Sequence, residues 1–177
     1  MQPSEPTYGE RIVTAHGHED LFASWLRRDL GGLVHDFNGP ASKKAPMLSG
    51  IPDSTSLVTP DLLVMFPDLG STWWCELKHK TSAFHFRKTN EQETGIDASK
   101  WAHYLAVKQG GLSVYLCFAH EAENLVTCDE IAALDALPSK RMSPPNYDYR
   151  QTVNWPLRHL TRLATYREIF GAKAGAP

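Results

Sequence analysis

Two acids and a lysine are the residues of this sequence best suited to chemistry. Asp61 follows Pro60 at the start of an apolar segment, and Glu76 stands two residues before Lys78. Carboxylate oxygens are hard ligands that suit Mg²⁺ or Mn²⁺. A metal held by both acids could polarise a phosphate and lower the pKa of a bound water, while the Lys78 ammonium could orient that water or offset charge in the transition state. These residue types fit the hydrolysis of a phosphodiester.

A hairpin of two strands is needed to bring the two acids together. DLLVMF at 61–66 and TWWCELKHK at 72–80 are predicted strands, and the turn-forming residues PDLGS at 67–71 join them. Antiparallel pairing can place Asp61 and Glu76 at the same end of the sheet. We therefore expect both carboxylates at one sheet end, provided that the hairpin has this register.

Strand alternation fixes which side chains share a face. Glu76 and Lys78 lie on one face of their strand, and Leu77 points to the other, with its backbone carbonyl available as a third metal ligand. A carboxylate inside the apolar run WWCEL needs a cation or another partner. Glu76 is thus either a metal ligand or one half of a structural ion pair with Lys78.

The remaining pattern predicts an α/β fold with a central mixed β-sheet flanked by helices. The chain is expected to form a single domain, 1–177, with flexible ends near 1–8 and 171–177. Helices are predicted at 17–30, 97–108 and 159–170, with a further short helix after a capping box at Thr127–Glu130. Further strands are predicted at 33–37, 112–118 and 152–155, the last as an edge strand. Loops are predicted at 38–58 and 138–150, and 81–96 is a polar, basic connection.

Charge and composition limit the partners. The net charge of −2 gives no strong overall attraction to nucleic acid, so binding would need a local basic patch. The segment HKTSAFHFRK at 79–88 offers one, because its basic side chains can hold phosphates and its phenylalanines can stack on bases. The alternative is a solvated loop with two anchoring rings. The candidate nucleic-acid-binding residues are Lys80, His85, Arg87, Lys88 and Lys100.

Several other side chains are interpreted as structural. Arg158 and Arg162 read as the solvated face of the last helix, and His16 and His18 as polar loop residues before the first helix. The three cysteines have no CxxC spacing, which favours reduced thiols over a disulfide framework or a zinc site, with Cys75 and Cys117 buried. Neither a phosphate-binding GxxxxGK[ST] loop nor a GxSxG nucleophile elbow is present.

Pro60-Asp61 and Glu76-Leu77-Lys78, with fourteen residues between the acids, resemble the motif of the PD-(D/E)XK nuclease superfamily. The similarity spans about residues 17–118 and extends to phage and bacterial nucleases that include Holliday-junction resolvases. It implies a restriction-endonuclease-like core and a helix acid that assists the metal, here Glu19, with Asp20 as its competitor. Resolvases often carry a Gln in the helix after the motif, and Lys100 or His103 would have to serve in its place.

The resemblance implies a Mg²⁺-dependent (or Mn²⁺-dependent) endonuclease acting on DNA phosphodiesters, with branched DNA of repair or recombination as the first substrate to test. RNA stays open as the nucleic acid, and a homodimer stays open as the assembly. The alternative function is a non-catalytic nucleic-acid-binding module on the same fold. No apolar run approaches the ~20 residues of a membrane span, and no signal peptide is visible, so the expected location is cytoplasmic.

Overall fold

The computed structural model describes residues 8–37, 47–48, 57–143 and 151–171, with side chains from Gly17 onward. The predictions for the two chain ends, for most of the loop 38–58 and for residues 144–150 lie outside these ranges. The helices are α1 Tyr8–Asp29, α2 Ala98–Gln109, α3 Ile131–Ala136 and α4 Tyr166–Phe170. The strands are β1 Leu33–Asp36, β2 Met47–Leu48, β3 Leu57–Val58, β4 Leu62–Phe66, β5 Ser71–Lys80, β6 Phe84–Phe86, β7 Glu91–Asp97, β8 Ser113–His120, β9 Leu125–Glu130, β10 Arg141–Met142, β11 Thr152–Pro156 and β12 Arg162–Ala164.

A mixed six-stranded sheet organises the fold, in the order β1-β4-β5-β8-β9-β12. β5 and β8 pair in parallel, whereas the other neighbours pair antiparallel. Parallel strands need a crossover connection, and the chain between β5 and β8 contains the helix α2. The predicted α/β class with a central mixed sheet and flanking helices is confirmed.

The two faces of this sheet bury different clusters of side chains. Cys75 and Leu77 of β5 pack with Phe22 and Leu26 of α1 on one face. On the other face Leu116 and Phe118 of β8 pack with α2, α3 and a second sheet; Trp101, Tyr104, Leu134, Val153 and Trp155 belong to that cluster. Leu77 therefore turns away from the α2 side, as alternation along β5 requires.

A second sheet of four strands, in the order β10-β11-β7-β6, was not foreseen. The polar, basic connection predicted at 81–96 contains β6 and β7, which pair antiparallel. Segment 152–155 is a strand, but the prediction of an edge position is wrong, because β11 pairs with β7 on one side and β10 on the other. Pro156 is tolerated as the last residue of β11.

The C-terminal helix predicted over 159–170 is also wrong in its extent. Leu157–His159 form a 3-10 turn, β12 pairs with β9, and only α4 is helical. Thr165 begins α4 with a capping box, accepting from the Glu168 N–H while the Glu168 carboxylate accepts from the Thr165 N–H. Arg158 and Arg162 consequently share no helix face; Arg158 forms an ion pair with Glu91 at 2.5 Å instead.

Two further boundaries differ from the prediction. Thr127 lies in β9 rather than in a capping box, although a short helix does follow at α3. The first helix begins at Tyr8 rather than Gly17, so His18 is a helical residue and not part of a loop. Within the described ranges, no helix combines the length and apolarity that a membrane span requires.

Candidate active site

The hairpin of β4 and β5 brings Asp61 beside Glu76. Leu62 pairs with Cys75 across the antiparallel ladder, so the next position outward places Asp61 opposite Glu76. The Asp61 carbonyl accepts a hydrogen bond of 3.0 Å from the Phe37 N–H, which fixes the backbone where β4 begins. Both acids are buried, Glu76 completely and Asp61 to 8% exposure. The register on which the predicted pairing of the two acids depended is therefore present.

Two lysines face the buried Glu76 carboxylate. Lys78 forms an ion pair with Glu76 Oε1, and Lys100 Nζ of α2 lies 3.6 Å from the same oxygen. Lys78 is on the same face of β5, two residues further on, as alternation predicted. Lys100 contacts the Glu76 carboxylate of the motif, and its predicted contact with nucleic acid stays a prediction.

The charges of this group depend on one another. Burial alone would raise the pKa of Glu76, but Lys78 and then Lys100 outweigh it and hold that pKa below its usual range. Burial would likewise lower the pKa of Lys78, yet the Glu76 and Asp61 carboxylates raise it. Glu76 is thus ionised and Lys78 protonated at neutral pH.

Tyr104 of α2 is a member of the site that sequence reasoning missed. Its side chain is fully buried, and burial, followed by Glu76, Asp61 and Glu19, raises the pKa of its phenol far above the usual range. The hydroxyl in turn helps to lower the pKa of Glu76. Its position on the apolar side of the predicted helix indicated only a core residue, so no sequence signal distinguished it.

The donor set fits a hard divalent cation. Mg²⁺ is commonly held by one or two carboxylates together with water, and Asp61 and Glu76 supply two such groups at one sheet end. Both Glu76 carboxylate oxygens are buried. Across the part of the chain that the structure describes, no three His, Cys, Asp or Glu side chains gather closely enough to hold a metal. Assistance from Glu19, which is buried at 9% exposure, and a ligand role for the Leu77 carbonyl stay predictions.

A cleft beside the ion pair leads away from the site. A cavity of about 230 Å³ is lined by Lys78, Lys80, Lys100 and Asp97, with backbone from β7 and β11. A second cavity of about 410 Å³ adjoins it through Lys80, Gly95 and Thr152, which line both. Burial, then repulsion by Lys78, lowers the pKa of Lys80, whereas Asp97 attracts its charge.

The predicted nucleic-acid-binding residues divide into two groups. Lys80 and Lys100 lie at the cleft. His85, Arg87 and Lys88 are exposed on or next to β6 and line neither of the two cavities. His85 forms a hydrogen bond of 3.0 Å with Asn90. The contact of these three residues with nucleic acid stays a prediction.

Two groups of side chains support the other face of the sheet. His18 and His79 stack with ring centroids 3.7 Å apart, and each Nε2 lies within 3.0 Å of the Tyr166 hydroxyl, which joins α1, β5 and α4. Cys75 and Cys117 are buried free thiols, as predicted, with their sulfur atoms 3.6 Å apart. These contacts give His18, His79, Cys75 and Cys117 structural roles behind the sheet.

Comparison with known proteins gives similarity in structure. No family model and no curated protein sequence matches the chain. The chain is similar to a Holliday junction resolvase from the hyperthermophilic archaeon Archaeoglobus fulgidus, with a TM-score of 0.48 and 10% identity, covering 84% of this chain and 94% of that one. It is also similar to a nuclease from a fusselovirus, with a TM-score of 0.47 and 11% identity, covering 92% of this chain and 91% of that one. These similarities concern the arrangement of strands and helices alone.

Proposed function

We propose that the chain is a metal-dependent endonuclease that hydrolyses DNA phosphodiester bonds at Asp61, Glu76 and Lys78. The observation that carries this proposal is the fully buried, ionised Glu76, set beside Asp61 and faced by Lys78 and Lys100. A buried carboxylate is costly to the fold unless it is compensated. Two adjacent acids with two lysines at the mouth of a cleft suit the binding of a cation and an anionic substrate together.

In this mechanism the chain's own residues divide the work. A bound Mg²⁺ or Mn²⁺ would be held by Asp61 and Glu76, and it supplies Lewis acidity and a more acidic water. Despite burial, the Glu76 and Asp61 carboxylates hold the pKa of Lys78 above its usual range, which favours the protonated form that donates hydrogen bonds. Its ammonium orients the attacking water or stabilises charge on the phosphoryl oxygens. Lys100 adds a second positive charge on the α2 side.

The rival function is a non-catalytic nucleic-acid-binding module, in which Glu76 and Lys78 form only a structural ion pair. The observed pairing is compatible with this role. The position of the pair at a cleft lined by Lys80 and Lys100 favours the enzyme, since a purely structural pair needs no opening to solvent. Cleavage assays separate the two functions.

The test is cleavage of labelled linear, single-stranded and four-way-junction DNA with Mg²⁺ or Mn²⁺ and with EDTA. We expect metal-dependent cleavage by the wild type, and a fall of at least about 10²-fold in rate for Glu76→Gln and for Lys78→Met, because each removes a charge that acts in the transition state. Lys108→Met and Glu130→Gln are matched controls, since those residues form an ion pair at 2.7 Å elsewhere in the fold, about one-third exposed at both residues. Absence of cleavage on every substrate would overturn the proposal.

The type of nucleic acid, its structure and the oligomeric state of the protein are further parts of this proposal. We take DNA as the nucleic acid, branched DNA as the first structure to compare, and a homodimer as the assembly to examine. Single-stranded RNA in the same assay distinguishes the two nucleic acids. Sedimentation of the protein alone and with a four-way junction reports whether two copies act together on one substrate.

A further inference from the structure

The second sheet has one apolar face and one polar face. Ile96 of β7 and Val153 and Trp155 of β11 point into the core shared with α2. The alternate residues therefore point the other way. Those that line the 410 Å³ cavity are Glu93, Gly95, Thr152 and Asn154. A sheet face that presents these polar side chains to a cavity is suited to a polar ligand.

This polar face continues the cleft of the candidate active site. The cavity next to Glu76 and Lys78 and the cavity over the sheet share Lys80, Gly95 and Thr152. Together they form a groove that starts at Lys78 and Lys100 and runs across β7 and β11. We call this feature the strand groove. A ligand that contacts Lys78 and Lys100, the two lysines that face Glu76, can therefore extend along it.

Charge is divided unevenly along the strand groove. Its near end carries three ammonium groups, from Lys78, Lys80 and Lys100, against the Glu76 and Asp97 carboxylates. At its far end the charges cancel, because Arg141 Nη2 lies 2.6 Å from the buried Glu93 carboxylate. Apart from Lys80, which this cavity shares with the near end, the remaining side chains of the far end are neutral: Ser82, Phe84, Thr94, Ser143, Thr152 and Asn154. A nucleotide has the same division, with an anionic phosphate at one end and a neutral base at the other.

The far end also offers a flat apolar surface. Phe84 is 42% exposed although it lines the cavity, and the neighbouring Phe86 ring is covered by the Arg141 guanidinium at 3.8 Å. Bases of single-stranded nucleic acid stack on such rings. Gly95, which also lines the cavity, leaves room for the Asn154 side chain, because a Cβ there would lie 2.2 Å from Asn154 Oδ1 and 2.4 Å from the Val153 carbonyl oxygen.

The availability of the base distinguishes a single strand from a duplex. A cavity of about 410 Å³ has the size of a small-molecule pocket, for which about 300–1,000 Å³ is usual, and one nucleotide is a ligand of that class. Bases inside a duplex are also stacked on their neighbours and unavailable to Phe84. An occupant of this groove must have its base free.

We infer that the strand groove binds an unpaired nucleotide next to the scissile phosphate, with its phosphate at Lys80 and its base on Phe84. This inference rests on the proposed nuclease function and names its substrate class: nucleic acid with an unpaired strand adjoining the cut. Single strands and the open arms of branches or flaps have this feature, whereas a fully paired linear duplex does not.

The test is binding in EDTA, which separates the strand groove from any cleavage. Fluorescence anisotropy compares a labelled single strand with a blunt duplex of the same sequence. We expect Phe84→Ala to weaken single-strand binding by about tenfold and to leave duplex binding unchanged, because only an unpaired base reaches the ring. Lys80→Met should weaken single-strand binding and make it less sensitive to salt. Leu69→Ala, at a residue 70% exposed on the β4–β5 turn, is the apolar control, and Lys108→Met is the control for charge.

The outcomes distinguish this inference from the proposed function. The inference about the strand groove would be overturned if Phe84→Ala lost equal affinity for single strand and duplex, or lost none. This holds even if the wild type cleaves DNA. A selective loss in Phe84→Ala with no metal-dependent cleavage by the wild type would support the groove and overturn the nuclease. Circular dichroism and thermal unfolding of each variant establish that the fold is retained.

Discussion

At the scale of single residues, Glu76 is the unusual feature of this molecule. It is fully buried yet ionised, and its compensation comes from two lysines on two different elements. Buried ion pairs are weak contributors to stability, because the loss of hydration is close in size to the attraction gained. The pair is therefore better explained by the chemistry of the site than by a need of the fold.

A double-mutant cycle measures how far Glu76 and Lys78 depend on each other. Lys78→Met leaves the buried carboxylate with Lys100 at 3.6 Å and the Tyr104 hydroxyl, and we expect a loss of about 1–3 kcal/mol in the free energy of unfolding. Glu76→Gln removes the buried charge and should cost less. The double variant should resemble Glu76→Gln alone, giving a coupling energy of about 1–3 kcal/mol by urea unfolding.

The Lys108–Glu130 pair, which is about one-third exposed at both residues, is the matched control for this cycle. Its coupling should be below about 1 kcal/mol, as for other surface pairs. If the Glu76 and Lys78 substitutions changed the free energy of unfolding additively, the two residues would not depend on each other. The same conclusion would follow if the buried pair and the control pair had equal coupling energies.

Residue-level prediction succeeded where strand geometry was sufficient. Alternation placed Glu76 and Lys78 on one face, and the hairpin placed Asp61 nearby, because both follow from local spacing. Tyr104 and the contact of Lys100 with Glu76 depend on how α2 crosses the sheet. That crossing is set by tertiary packing, which cannot be predicted from the residue spacing within one helix.

At the scale of elements, the central sheet was predictable and the second sheet was not. β4, β5 and β8 are apolar runs bounded by turn residues, which is a strong strand signal. β7 has the charged Glu93 and the small Gly95 on the face that lines the strand groove, and polar or charged residues predominate in the rest of the segment, so 81–96 resembled a polar connection. The same polarity that concealed these strands gives the groove its lining.

Gly95 is the residue on which the pairing of β7 with β11 depends. A Cβ at this position would lie 2.2 Å from Asn154 Oδ1 and 2.4 Å from the Val153 carbonyl oxygen, and backbone yields little. We expect Gly95→Ala to lower the free energy of unfolding by about 1–3 kcal/mol, the usual cost of overpacking. Gly17→Ala, in the helix α1 with open space around it, is the control and should be neutral or stabilising. Urea unfolding measures both, and equal stability of the two variants would contradict the close approach of the strands.

At the scale of the whole molecule, stability should depend on pH through groups far from the molecular surface. His120 ends β8 and is completely buried, and burial, aided by Lys80 and opposed by Glu123, lowers its pKa to about 4. In the described part of the chain, neither ring nitrogen has a hydrogen-bond partner. The native state therefore holds the neutral ring, whereas the unfolded chain takes up a proton near pH 6.5.

The sign of the pH dependence follows from this difference. Because the folded pKa lies below the unfolded one, the contribution of His120 is fully present above about pH 6.5 and is lost as the pH falls towards about 4. The total loss should be about 3 kcal/mol. Glu76 affects stability at lower pH than His120 does. Because its pKa is also depressed, its contribution to stability declines only as the pH falls below the usual range of a glutamate.

Urea unfolding between pH 7.5 and 4.5 measures the contribution of His120 to stability separately from that of Glu76, which changes at lower pH. We expect the wild-type free energy of unfolding to fall as the pH is lowered across this range. The fall should be much smaller in two variants that lack the titrating ring. His120→Phe keeps a ring beside Phe118, and His120→Leu avoids overpacking. His35→Phe, at an exposed histidine of β1, should retain the wild-type slope. A slope unchanged in both His120 variants would assign the acid sensitivity to other groups. A slope lost only with His120 would mean that one buried ring at the end of β8, in register with Lys80, links the stability of the whole fold to the protonation of its interior.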